Sequence, residues 1–341
     1  MDHNPGMHPD PRALAQDADG TYVSTGSLPS ADEVQALVDE AHRRFLPVVD
    51  GANSAVYPAL ERQDPARFGL CVVGASGRVF EAGDARVPFT IMSVAKPFVF
   101  ALVCARLGAA EARRRLGVNA TGLAFNSVAA VERSADGRTN PMVNAGAIAT
   151  TALVDGASVD ERWEAIVAGL SAFAGRRLSL DEEVLESARA TKSRNQAIAR
   201  LLQSTGALEA DPAEAVDLYT RQSCLSVTAV DLAAMGATLA DGGVNPITGE
   251  AVVDEQTCRH TLAVMTTAGL YETSGDWLYQ IGLPGKSGIG GGIVTVSPGK
   301  GGLGTFAPPL DSAGNSVKGQ LVARFLSQRL GMDLFVSTPF E

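Results

Sequence analysis

The sequence predicts a mixed α/β (α+β) protein: an antiparallel sheet drawn from both ends of the chain, flanked by terminal helices, with an all-helical domain inserted. Three observations carry this. Strand-like runs sit on either side of the middle, Phe68 to Val73 with Arg78 to Ala82, and Gly290 to Val296 with Gly301 to Phe306. Alanine-rich segments of helical spacing fill most of residues 93–253. Stretches at about 31–45 and 316–331 read as the terminal helices. The expected division is a discontinuous sheet domain (29–92 with 254–336) and a helical domain (93–253). Residues 1–28, polar and containing Gly, Pro, Asp and Ser, read as a disordered extension.

The elements follow in order. Ser30-Ala31-Asp32-Glu33 caps the first helix, and Val34, Leu37, Val38 and Ala41 share one of its faces. Phe68 to Val73 is a strand, Gly74-Ala75-Ser76-Gly77 a turn, and Arg78 to Ala82 the hairpin partner. Helices are expected at 97–107, 109–116, 127–133, 144–154, 159–173, 181–204, 211–219 and 228–241. Asp241-Gly242-Gly243-Val244-Asn245-Pro246 punctuates them, and a helix near 254–268 precedes the returning strands.

Composition narrows the function classes. With 45% hydrophobic and 19% charged residues the chain is globular. A formal charge of −10 with no basic patch argues against nucleic acid. There is no apolar run of the roughly 20 residues a membrane helix needs. The polar, Pro-containing start lacks the apolar core of a signal peptide. Cys71, Cys104, Cys224 and Cys258 form no C-x-x-C pair and read as buried or semi-buried thiols of a reducing cytoplasm. Only four histidines occur, two of them in the first eight residues, so neither a histidine-rich metal site nor a histidine-based triad is expected.

The most informative residue is Lys96. The chain holds 23 arginines and only five lysines. Lysine differs from arginine in that burial can strip its charge and make it a base. In Phe89-Thr90-Ile91-Met92-Ser93-Val94-Ala95-Lys96-Pro97 it lies one turn after Ser93, and residues three apart share a helix face. The pair reads as an activated serine nucleophile; the segment alone also reads as a serine cap followed by a solvated lysine. A second such spacing, Ser297-Pro298-Gly299-Lys300, contains Pro and Gly that forbid the helix.

Two glycine motifs are set aside. Gly285-Lys286-Ser287 lacks the opening glycine of a phosphate loop, since position 280 is Gln280, and no helix follows. Gly299-Lys300-Gly301-Gly302-Leu303-Gly304 is followed by Ala307-Pro308-Pro309 where a dinucleotide site needs a helix. Lys286-Ser287-Gly288 reads better as a K-[ST]-G triplet on a strand that opens a cleft. It would offer a cation, a hydroxyl and free backbone N–H groups. S-x-x-K followed by K-[ST]-G is the signature shared by class A β-lactamases and penicillin-binding proteins, so the fold expected is β-lactamase/penicillin-binding-protein-like.

Further blocks sharpen the resemblance. Gly122 to Ser127, Asn140 to Ile148, Arg194-Asn195-Gln196-Ala197, Asp217-Leu218-Tyr219, Gly242 to Gly249 and Gly314-Asn315-Ser316 stand in order around the two motifs. Together they resemble the bacterial serine-dependent glutaminases of the β-lactamase-like superfamily, over about residues 30–330. That resemblance implies hydrolysis of L-glutamine to L-glutamate and ammonia through a serine-bound γ-glutamyl intermediate, without a cofactor or metal. It implies a small-molecule substrate, no nucleic-acid or membrane partner, a homo-oligomer (dimer or tetramer) and a cytoplasmic location. It assigns Ser93 as nucleophile and Lys96 as base; Tyr219 and Lys286 complete the expected catalytic set, the positive Lys286 lowering the Lys96 pKa together with desolvation. Asn144, Asn195, Tyr219 and Tyr271 would hold the substrate alongside Ser93, and Ile289 would contribute its backbone. Either Tyr219 or Ser287 would relay protons.

The chain departs from that pattern in places. The family glutamate seven residues before the motif asparagine is Ala188 here, with Glu186 out of register. Asn119-Ala120-Thr121 replaces a usual Glu-Pro-Ser, and Thr267 to Tyr271 replaces a Cys-Gly-Met-Tyr run. A carboxylate at 188 would suit the α-ammonium of glutamine, so its loss bears on substrate choice. The rival readings are a β-lactamase- or peptidase-like serine hydrolase and a non-catalytic ligand-binding relative.

Overall fold

The computed structural model describes residues 26–337. The extension expected at 1–28 lies outside these but for its last three residues.

Among the described residues the first elements are α1 (Ala31–Phe45), which Ser30 and Glu33 close with a reciprocal capping box, and a single turn α2 (Pro58–Glu61). The hairpin β1 (Gly69–Gly74) and β2 (Val79–Gly83) leads to β3 (Phe89–Thr90) and a 3₁₀ turn, Met92–Val94, that runs into α3 (Ala95–Leu107). Then come α4 (Ala109–Leu116), α5 (Ala129–Glu132), α6 (Asn144–Ala152), α7 (Val159–Ala174), β4 (Ser179–Leu180), α8 (Glu182–Ala190) and α9 (Ser193–Ser204). After them follow α10 (Pro212–Ser223), β5 (Leu225–Val227), α11 (Ala229–Ala240), α12 (Glu255–Ala268) and α13 (Ser274–Ile281). The chain then adds β6 (Gly285–Ser287), β7 (Gly292–Ser297), β8 (Gly301–Phe306) and α14 (Val317–Arg329).

The five long-sheet strands lie in the order β2-β1-β8-β7-β6, antiparallel throughout. As expected, both ends of the chain build it, and β1 pairs with β8 from Gly69 opposite Phe306 to Gly74 opposite Gly301. Successive side chains leave a strand on opposite faces, and the two cores divide that way. Leu70, Val72, Ile293 and Leu303 pack with α1 and α14 through Val34, Val38, Val322 and Leu326. Cys71, Val73, Val294 and Val296 pack on the other face with Leu232 and Met235 of α11 and with the helices beyond. Although α11 falls within the 93–253 span, it lies directly on the sheet; Gly302 and Gly304 admit it, because a Cβ at either would collide with its backbone.

Several elements differ from expectation. The helix read at 181–204 is two, broken at Thr191–Lys192, where the Thr191 hydroxyl turns back onto the carbonyls of Ser187 and Ala188. The stretch Val87 to Ile91, whose sequence reads as extended, holds β3, whereas the helix α13 and the strands β4 and β5 had no sequence signal, being at most eight and three residues long. The three short strands form a second small sheet, β3-β5-β4. It anchors the approach to Ser93: Phe89 pairs with Val227, and the Ile91 amide donates to the Leu225 carbonyl at 2.9 Å. All four cysteines are buried free thiols, as expected. Among the described residues no helix is long and apolar enough to cross a membrane.

Candidate active site

Ser93 sits in the 3₁₀ turn between β3 and α3, so Lys96 follows one turn later on the first turn of α3. The turn is strained: Met92 has φ +48°, a left-handed value that a side chain disfavours. The glycine run of the K-S-G motif packs onto this turn. A Cβ on Gly288 would stand 3.0 Å from the Ile91 carbonyl oxygen, and one on Gly290 2.7 Å from that of Thr90. Side chains there would hold the two motifs apart.

Lys96 is 2% exposed and points into the protein. Its Nζ donates to Asn144 Oδ1 at 2.8 Å and to the Met142 carbonyl at 3.3 Å. Burial, with no carboxylate beside it, lowers its pKa to about 7. A neutral amine has two hydrogens and one lone pair. Both hydrogens are placed on oxygens, so the lone pair remains for a proton from elsewhere.

Asn144, the first residue of α6, is the hub. Its Oδ1 also accepts from Tyr219 Oη at 3.0 Å, and its Nδ2 donates to Asn195 Oδ1 at 3.1 Å. That network fixes both amide orientations and leaves the Asn195 Nδ2 hydrogens for a ligand. Asn195 is the third residue of α9 and not, as its sequence neighbours suggested, mid-helix. Tyr219 is buried on α10, and burial raises its phenol well above the ordinary range.

The opposite wall holds Tyr271 and Lys286. Tyr271 is the second strained residue, at φ +56°. Its hydroxyl donates to the Ser287 carbonyl at 3.0 Å. Burial raises its phenol, and its hydroxyl neighbour Ser93 pulls it partly back. Lys286 Nζ lies 4.3 Å above the Tyr271 ring and donates to the carbonyls of Ser287 at 2.7 Å and Gly269 at 2.9 Å. Its pKa is lowered by burial and then by the charge of Lys96. Burial lowers both amines, and charge on either one disfavours charge on the other. Ser287 Oγ is buried without a partner among the described residues.

A cleft of about 110 Å³ joins these groups. Ser93, Asn144, Asn195, Tyr219 and Ile289 all line it. Ile289 sits in the turn between β6 and β7, where its N–H takes no part in the turn's backbone hydrogen bonds among the described residues. Lys96, Tyr271 and Lys286 stand outside the cleft's lining: Lys96 is tied to it through Asn144, and Tyr271 and Lys286 meet at the Ser287 carbonyl. The sequence reading missed Tyr57, which lines the mouth just before the single turn α2, and the wall formed by Cys224. Phe125, quoted only as part of a motif, packs on Tyr271 with ring centroids 4.5 Å apart. Larger cavities of about 520, 380 and 220 Å³ lie elsewhere and are lined by none of these groups. No cluster of three metal-ligating side chains occurs among the described residues.

The chain can now be set beside known proteins. The sequence profile of the glutaminase family matches residues 51–335. Glutaminase 2 of Yersinia pestis is 67% identical over 319 residues, 94% of each chain. A glutaminase of Brucella canis is 47% identical over 90% of this chain and 97% of its own. Among solved structures, the probable glutaminase ybaS superposes with a TM-score of 0.89 at 41% identity, covering 91% of this chain and all of that one. A probable glutaminase from Bacillus subtilis, complexed with 6-diazo-5-oxo-L-norleucine, superposes with a TM-score of 0.79 at 29% identity over 90% of this chain and 98% of its own. These neighbours share the β-lactamase-like fold expected from the S-x-x-K and K-[ST]-G motifs. A serine and a buried lysine one turn apart, seated in this fold and matched along nearly the whole chain, place the protein in the glutaminase family.

Proposed function

We propose that the protein hydrolyses L-glutamine to L-glutamate and ammonia through a γ-glutamyl ester on Ser93. The observation that carries this is Lys96: buried, uncharged for part of the time near neutral pH, and one turn from the serine it would serve. The names of the relatives support the same substrate.

Ser93 Oγ attacks the carboxamide carbon while its proton moves to the Lys96 lone pair. The N–H groups of Ser93 and Ile289 hold the developing oxyanion, each contributing roughly 3–4 kcal/mol. Lys96 returns the proton to the leaving nitrogen, the C–N bond breaks and ammonia departs. Water then attacks the ester, its proton passing by way of Lys96 back to Ser93 Oγ as glutamate leaves. Asn144 holds Lys96 in place, and Tyr219 holds Asn144. Tyr271 orients the Ser93 hydroxyl, and Lys286 fixes the Ser287 carbonyl and the Tyr271 ring. Asn144, Asn195, Tyr219 and Tyr271 border the substrate.

Ser93→Ala and Lys96→Ala should each abolish ammonia release while the thermal unfolding transition remains cooperative. Hydroxylamine should divert the wild-type intermediate to a hydroxamate. Turnover retained in either variant would remove this mechanism. A homo-oligomeric state of two or four chains and a cytoplasmic location rest on the family resemblance and are proposed on that ground; light scattering on the purified protein tests the former.

A further inference from the structure

The polar groups of the cleft are unbalanced in charge. Arg194, at the start of α9, is the one charged side chain among its lining residues, and no carboxylate accompanies it. The Arg194 Nε donates to the Asn126 carbonyl at 2.9 Å, which steers the guanidinium, and its terminal nitrogens have no ion-pair partner among the described residues. Beside it the Asn195 Nδ2 hydrogens are available, because Asn144 already occupies Asn195 Oδ1. The hydroxyls of Thr191 and Ser223 are donated to carbonyls of their own helices. Ala188 lines the wall and brings no charge to it. Of the acids nearby, Asp217 is held by Arg189 outside the cleft.

Such a set of donors complements a carboxylate and offers nothing charged to an ammonium. We infer that the cleft takes the class of linear primary carboxamides bearing a distal carboxylate, without requiring an α-ammonium, so that amides whose α-nitrogen is missing or acylated are substrates beside glutamine. This inference rests on the amidase reading above and extends it to substrate class. The hydrolysis itself is unchanged: the ester forms on Ser93 as ammonia leaves, and water releases the dicarboxylic acid.

The test compares kcat/KM for ammonia release from L-glutamine, from 4-carbamoylbutanoate, the same chain without its amino group, and from Nα-acetyl-L-glutamine. The wild-type enzyme should favour glutamine over 4-carbamoylbutanoate by less than tenfold. A preference of tenfold or more overturns the inference and leaves the glutaminase reading standing. Ammonia from none of the three overturns that reading itself. Ala188→Glu should raise the preference for glutamine at least tenfold, chiefly through KM; an unchanged ratio in a folded variant counts against the inference. Arg194→Gln, on an exposed residue that should not disturb folding, should raise KM for both amides alike.

Discussion

Lys96 Nζ and Asn144 Oδ1 lie 2.8 Å apart in the interior, joined across 48 positions of sequence. The neutral amide lets the amine shed its proton, since no negative charge rewards the cation. Asn144→Asp would supply one. An opposite charge at this distance raises an amine's pKa. The acid limb of kcat/KM against pH, expected near 7 in the wild type, should move up by about one unit or more. Activity at pH 7 falls and returns by pH 9 to 10. A profile that keeps its midpoint would show that Lys96 is not the titrating base.

Lys96 also costs stability. Its pKa is 10.5 in the unfolded chain and about 7 in the fold. As pH falls from about 10.5 to 7, the unfolded chain takes a proton that the folded one refuses, and stability declines through that window. Below 7 the penalty is fully developed, on the order of 3–5 kcal/mol. Lys96→Met should therefore be inactive yet more stable, with a gain that vanishes above pH 10.5. Denaturant unfolding at pH 7 and at pH 10 measures it.

Gly290→Ala tests the seam between the two motifs. Its Cβ would meet the Thr90 carbonyl oxygen at 2.7 Å, a backbone atom that cannot swing aside, so the seam must open. Overpacking of this kind costs roughly 1–3 kcal/mol. Ile289 then moves away from Ser93, and kcat should drop about a hundredfold, in the range seen when an oxyanion donor is lost. Thermal melts and single-turnover assays separate the two effects.

Tyr271→Phe removes the hydroxyl between Ser93 and the Ser287 carbonyl. A single neutral hydrogen bond contributes about 1 kcal/mol to stability, so the fold should persist. Expected is a ten- to hundredfold loss in kcat with KM little moved. A variant that instead weakens binding at constant kcat would assign Tyr271 to substrate recognition.

Much of this site was legible in the sequence because helical periodicity is a local rule. Ser93 and Lys96 needed only the three-residue spacing, and Lys286-Ser287-Gly288 only a strand ending in glycine. The sheet was legible from apolar runs at both ends. What escaped depends on contacts between distant segments. The two- and three-residue strands Ser179–Leu180 and Leu225–Val227 are too short for any period to register and exist through their hydrogen bonds to each other and to Phe89–Thr90. The break between α8 and α9 carries neither Gly nor Pro; a threonine side chain makes it. The lowered pKa of Lys286 follows from its own burial first and from the charge of Lys96 second, and spacing encodes neither. Tyr57 reaches the cleft from a single turn with no amphipathic pattern.

The pairing of β1 with β8 sets a clock on biosynthesis. Gly74 must wait for Gly301 to leave the ribosome before its outer neighbour exists. At about 5–20 residues per second, that delay lasts roughly 10–50 s. Throughout it the hairpin Gly69–Gly83 presents an apolar, unpaired border, the kind of surface that recruits chaperones or sticks to other nascent chains. Catalytic competence thus waits on β6 to β8, which seal the border and set the glycine run after Lys286 against the turn that carries Ser93.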